Sequence, residues 1–186
     1  MPSKSNLRGR SSTINNAFAI SITPYIRPNT VEEREWYEKL DVEEGQCAYC
    51  LRDGNGRDHL KPLVVDGMPS GYITDVHNLV PCCQACNSSK GSKSFREWYL
   101  SPENIERLHK YGLGDELIAQ RFDAICKFEE EVGAPLDYEA IVGEELWDEY
   151  KQRKTMLNQS LIENQEFCDK LEQIIMEKSG RNKKRN

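Results

Sequence analysis

Residues 47–50 read Cys47-Ala48-Tyr49-Cys50, and residues 83–91 read Cys83-Gln84-Ala85-Cys86-Asn87-Ser88-Ser89-Lys90-Gly91. Between these two C-x-x-C knuckles lie Asp58-His59-Leu60-Lys61-Pro62 and His77-Asn78-Leu79-Val80-Pro81. A two-residue gap lets both thiolates of a knuckle face one tetrahedral ion, so Cys47, Cys50, Cys83 and Cys86 read as a structural zinc site. A closed shell of four thiolates leaves zinc no open position for chemistry. Cys82 is adjacent to Cys83, but only Cys83 keeps the two-residue gap to Cys86, so Cys83 is chosen. The chain has seven cysteines. An odd count without an export signal argues against a disulfide framework. The remaining three, Cys82, Cys126 and Cys168, read as small buried hydrophobes.

The residues enclosed by the knuckles suit phosphodiester hydrolysis. The attacking water must lose a proton, and a neutral imidazole is a suitable base near neutral pH. The charge on the phosphate calls for a hard divalent ion on oxygen ligands. Asp58 and His59 would supply an ion ligand and a base from one strand. Strict alternation would send them to opposite faces, so a bulge or a twist is expected there. His77 is the rival base and reads as solvent-facing; His109, between Leu108 and Lys110, reads as a surface residue of a helix.

Taken together, C47-A-Y-C50, D58-H59-L-K-P62, H77-N78-L-V-P81, C83-Q-A-C86-N87 and K90-G91 resemble the HNH endonucleases, the ββα-metal nucleases, over residues 46–99. The cysteine pairs resemble the zinc-bound subgroup. The resemblance implies that His59 is the general base, that Asp58 and Asn87 ligate Mg²⁺ or Mn²⁺, and that Asn78 orients the base. It also implies that Lys90 contacts phosphate. Asn87 stands where the family has His or Asn, which makes this an H-N-N variant. The loop Val65-Asp66-Gly67-Met68-Pro69-Ser70-Gly71 departs from the Gly-Gly that the family often carries there.

Outward from this centre the composition changes. Residues 1–30 carry four bases (Lys4, Arg8, Arg10, Arg27) and no acid, and read as a basic arm. Within it, Ala17 to Tyr25 is β-like. Thr30 starts a helix, with Glu33 placed for a capping box and Trp36, Tyr37 and Leu40 on one face. Residues 46–91, punctuated by Gly, Pro, Asp and Asn, read as strands and loops, with a short helix from Ala85 or Asn87. Ser94 to Leu100 adds a helical turn or two. Ser101 caps a helix that has Pro102 at its first position and ends at Gly112. Another helix is expected from Asp115 to Val132, and a third from Asp137 to Lys178. Along the last, Trp147, Tyr150, Lys154, Leu157, Leu161, Asn164, Cys168, Leu171 and Ile175 form a 3.5-residue stripe, fit either for self-association or for folding back on the helix of residues 115–132.

The chain has 186 residues and a formal net charge of −6. Its acidity is concentrated in the C-terminal third, so the average hides a mildly basic middle. No apolar run is long enough to span a membrane, and no apolar segment follows the basic N-terminus, so a cytoplasmic protein is expected. The expected fold class is α+β: a zinc-stabilised ββα-metal nuclease core at 46–100, a basic arm and helix at 1–45, and an α-helical region with a basic tail at 101–186. The expected function is metal-dependent cleavage of DNA in a bacterial or phage restriction, defence or homing setting, by a homodimer. The alternatives are a zinc-ribbon DNA-binding module and a nuclease subunit recruited by a protein partner.

Overall fold

The computed structural model describes residues 6–180. Lys4 of the arm and the bases from Arg181 onward lie outside the described residues. The chain forms two compact units: residues up to Phe18 with those from Tyr138 onward, and Ala19–Asp137. This grouping differs from the three segments expected along the chain. Helices on both sides of residues 46–100 share their core, because Trp36, Leu40, Leu108, Ile118 and Ile125 are all buried with Tyr49, Leu60, Val80 and Phe95. A zinc-ribbon-sized segment has too little apolar surface to close a core alone.

After the last residues of the preceding helix, the Ala19–Asp137 unit continues with α2, Thr30–Lys39. The capping box lies one residue earlier than expected. Asn29 Oδ1 accepts from the N–H groups of Val31 and Glu32, and Glu32 Oε2 accepts from the Asn29 N–H at 2.7 Å. Strand β1, Gly56–His59, pairs antiparallel with β4, Leu79–Cys82, in a register from Gly56–Cys82 to His59–Leu79. The pairing is uninterrupted over these residues, so the expected bulge at Asp58-His59 is not formed. The segment between them folds back as a two-residue ladder of β2, Val64–Val65, and β3, Met68–Pro69. Asp66 and Gly67 both have positive φ, 51° and 71°, which suits a tight Asp-Gly hairpin turn.

Helix α3, Gln84–Lys90, follows β4 directly, with Cys83 at its N-cap. Helices α4, Phe95–Tyr99, α5, Pro102–Lys110, and α6, Asp115–Glu129, complete the unit. Ser94 and Ser101 cap α4 and α5 through their side chains, the second as expected. Tyr49, Phe95, Trp98, Tyr99 and Phe122 form the aromatic centre, with ring centroids 5.0–6.4 Å apart.

The other unit is helical. Helix α1, Ser11–Ile20, includes residues Ala17–Ile20 that read as β-like. Packing overrides local propensity there: Phe18 stacks on Tyr150 at 4.8 Å, and Asn15 exchanges amide hydrogen bonds with Asn158. The expected helix from Asp137 is interrupted. Helix α7 is Tyr138–Val142 and α8 is Glu144–Lys178, separated by Gly143 at φ 87°. Tyr138, Trp147 and Tyr150 stack in sequence across this break. Farther along α8, the Leu7 N–H donates to Gln165 Oε1 at 2.6 Å. Asn164 is exposed and donates to Ser160 O within the helix. Among the described residues, no helix is long and apolar enough to cross a membrane.

Candidate active site and metal centre

The four knuckle cysteines converge. The sulfur atoms of Cys47, Cys50, Cys83 and Cys86 all lie within 4.8 Å of one another. A Zn–S bond of about 2.3 Å places tetrahedral sulfurs about 3.8 Å apart, and Cys50 Sγ and Cys83 Sγ are 3.7 Å apart. The donor set therefore fits zinc. Hydrogen bonds from Cys50 and Cys86 hold the Cys47 thiol low, and the bond to Cys47 pushes the Cys50 and Cys86 thiols up. This is the conflict expected of crowded thiols, and a divalent cation resolves it by favouring all the thiolates together. Cys82 is buried outside the cluster, its thiol pushed up by burial. Cys126 is also buried, whereas Cys168 is exposed, contrary to the reading of it as a buried residue.

The knuckles are fixed by the main chain. The Ala48 N–H donates to Pro81 O at 2.8 Å, joining the first knuckle to β4, and the Cys86 N–H points to Cys83 Sγ at 3.4 Å. Gly54 passes so close to this corner that a Cβ there would lie 2.9 Å from the Cys82 carbonyl carbon. Arg107 also approaches the cluster, with Nη2 3.7 Å from Cys86 Sγ and its guanidinium over Trp98.

Asp58 and His59 lie at the end of β1. Asp58 is buried, and its Oδ2 accepts from Tyr49 Oη at 2.7 Å and lies 3.1 Å from Lys90 Nζ. His59 is half-buried, and its Nε2 is 2.9 Å from Thr74 Oγ1. Burial, with Lys90 adding to it, holds the His59 imidazole below its ordinary pKa of 6.5, against the opposing pull of Asp58 and Asp75. The ring is thus biased toward the neutral form that a base requires.

Asn78 is almost fully buried. Its Oδ1 accepts from the Lys61 N–H at 2.8 Å, and its Nδ2 donates to Lys61 O and Ile73 O at 3.1 and 2.9 Å. It thereby joins the residues just after His59 to the residue before Thr74. Asn87 projects from α3 toward β1, with Nδ2 3.3 Å from Arg57 O. Among the described residues, no hydrogen bond engages Asp58 Oδ1 or Asn87 Oδ1. An acid oxygen and an amide oxygen are a donor set that suits Mg²⁺ or Mn²⁺, which keeps waters at its other positions.

Lys90, expected at a phosphate, is instead 1% exposed and donates to His59 O at 2.6 Å. The spacing carried a signal for this. Cys86 and Lys90 are four apart on a helix and share a face, so turning Cys86 toward the other cysteines turns Lys90 inward too. Tyr49 and Thr74 are the site residues the sequence reading missed. Tyr49 sat inside a motif read only for its cysteines, and Thr74 stands 15 residues from its partner. His77 is exposed, with Nδ1 3.6 Å from Glu131, and His109 is exposed beside Asp115.

Comparison with known proteins bears on the segment that carries this site. Residues 47–93 match the family model of the HNH endonucleases, a span that includes every residue named above as a ligand or base. A protein of Bacillus subtilis (strain 168), YoqL, named as a candidate HNH endonuclease derived from the SPbeta prophage, is 27% identical over 94 residues. That alignment covers 45% of this chain and 41% of the relative. No solved structure matches significantly. The nuclease assignment thus stands at the level of the family of this segment, and the mixture of helices with small antiparallel sheets is consistent with an α+β HNH fold.

Proposed function

We propose that the protein is a metal-dependent endonuclease that hydrolyses DNA phosphodiesters, with His59 as general base. The observation that carries this reading is the pairing of a partly buried, neutral-leaning imidazole on β1 with two unengaged oxygens, from Asp58 beside it and from Asn87 on α3. If Thr74 Oγ1 accepts from Nε2–H, the opposite nitrogen, Nδ1, is the unprotonated one. Nδ1 takes a proton from water, and the resulting hydroxide oxygen attacks phosphorus in line. The bond to the 3′ oxygen breaks, that oxygen takes a proton from solvent water, and the products are a 5′ phosphate and a 3′ hydroxyl. A divalent ion, Mg²⁺ or Mn²⁺, held by Asp58 and Asn87 would neutralise charge on the phosphate and the departing oxygen.

Zinc on Cys47, Cys50, Cys83 and Cys86 is proposed as purely structural, because four thiolates complete its shell. A bacterial or phage role in restriction, defence or homing is favoured by the prophage-derived name of the relative. A homodimer is favoured by α8, on which Phe167, Leu171 and Ile175 are exposed at helical spacing. The test is nicking of supercoiled plasmid by purified protein with Mg²⁺ or Mn²⁺. Cleavage that His59→Ala reduces by roughly 10²–10⁴-fold, with DNA binding retained, is expected. Binding without cleavage by the unsubstituted protein would favour the zinc-ribbon binding module instead.

A further inference from the structure

We propose that Tyr49 and Lys90 are the positioning residues of Asp58, one supplied by each cysteine knuckle, and that the zinc site thereby sets the carboxylate used in catalysis; this rests on the nuclease reading proposed above. Tyr49 lies inside the first knuckle, between Cys47 and Cys50, and its hydroxyl donates to Asp58 Oδ2 at 2.7 Å. Lys90 lies one helical turn after Cys86 of the second knuckle, and its ammonium is 3.1 Å from the same oxygen. Both partners are almost completely buried, Tyr49 at 0% and Lys90 at 1% exposure. A buried lysine is costly unless it is paired, so its position implies a demand for the pair.

The geometry divides the two oxygens of Asp58. Oδ2 accepts the Tyr49 hydroxyl and forms an ion pair with the Lys90 ammonium, while Oδ1 accepts nothing from the described residues. Rotation of the carboxylate would break the hydrogen bond from Tyr49 and loosen the ion pair with Lys90. Asp58 is therefore set to offer one oxygen, in one direction, to a divalent ion. Lys90 also donates to His59 O at 2.6 Å, so one ammonium fixes the acid and the backbone of the base together.

The donors themselves cannot drift. The Tyr49 ring packs edge-on against Trp98 at 5.0 Å, and Tyr49 O accepts from Tyr99 Oη at 3.0 Å. Lys90 closes a helix whose first turn is pinned by Cys83 and Cys86. Zinc on the four cysteines would thus act at a distance on the catalytic carboxylate, through a tyrosine and a lysine attached to its two knuckles.

The experiment measures Mn²⁺ binding to zinc-replete protein by electron paramagnetic resonance of the free ion. It compares the unsubstituted chain with Tyr49→Phe and Lys90→Met, with zinc content by elemental analysis and the KM for DNA as further readouts. Tyr49→Phe removes a single hydroxyl and is expected to keep its zinc and its KM. Its Mn²⁺ affinity should fall roughly tenfold, the loss expected for a hydrogen bond to a charged group. Lys90→Met should weaken Mn²⁺ binding as well; if it does not fold, Tyr49→Phe alone decides. Mn²⁺ affinity within twofold of the unsubstituted protein in Tyr49→Phe would overturn this inference and leave the nuclease reading standing. Absence of Mn²⁺ binding by the unsubstituted protein would overturn both.

Discussion

His59 depends on a neighbour that shares no motif with it. Thr74 Oγ1 is 2.9 Å from Nε2, and Thr74 is itself held by its main chain, donating to Pro24 O at 3.1 Å and accepting from the Ile26 N–H at 2.7 Å. Replacing the hydroxyl by a methyl keeps the shape and removes the bond. Thr74→Val should therefore lower kcat by roughly fivefold, the worth of about 1 kcal/mol, and leave KM for DNA and the melting temperature near their starting values. Steady-state nicking kinetics with a thermal melt would check this, and an unchanged kcat would remove Thr74 from the site. His77 provides the contrast. It is exposed and, among the described residues, its side chain pairs with Glu131 at 3.6 Å and its main-chain N–H donates to Asp75, so His77→Ala should retain most activity.

At the scale of elements, a buried arginine joins three pieces of the nuclease unit. Arg121 on α6 donates to Ala48 O at 3.2 Å, to Asp41 O at 2.9 Å and to Leu40 O. It satisfies carbonyls that the end of α2 leaves unpaired and ties them to the first cysteine knuckle. A second tie is Glu129 near the end of α6, which receives Lys61 Nζ at 2.9 Å and Arg96 Nε at 2.8 Å. Arg121→Met preserves much of the packing but leaves buried carbonyls without donors. The expected loss is about 2–4 kcal/mol of unfolding free energy, read by urea denaturation. Asn29→Ala, which removes the α2 cap, should cost only about 1 kcal/mol in the same measurement.

For the whole molecule, the proposed zinc would stand first in the order of dependence. The β1–β4 pair is short and its apolar cover is shared with helices on both sides, so the knuckles carry much of the closure. Chelation of the metal should unfold the Ala19–Asp137 unit while α8 keeps its helical signal, seen as partial loss of far-ultraviolet ellipticity and partial loss of near-ultraviolet signal, the Tyr138–Trp147–Tyr150 stack being retained. Loss of nicking should accompany it and return with zinc. The exposed apolar residues of α8 set a separate expectation. Light scattering over a range of concentrations should give twice the 21.5 kDa chain mass, and Leu171→Glu should return the monomer. A monomer at every concentration would exclude the dimer.

The cysteine spacing, the Asp58-His59 pair and Asn87 were legible in the chain because a tetrahedral ion and a helix impose local distances, and local distances appear as fixed sequence gaps. The Ser101 cap of α5 was legible for the same reason. The roles of Thr74, Tyr49 and Lys90 were not, since each depends on which partner the β1–β4 register and the packing of α3 bring opposite it. The β-like reading of Ala17–Ile20 failed for a related reason: Phe18 gains more by stacking on Tyr150 than its local propensity costs. The sequence by itself thus determined the four-cysteine cluster and the family resemblance of the central segment, and proposed its base. Only the tertiary structure decided which buried groups hold that base and carboxylate in place, because hydrogen bonds between distant residues leave no periodic trace along the chain.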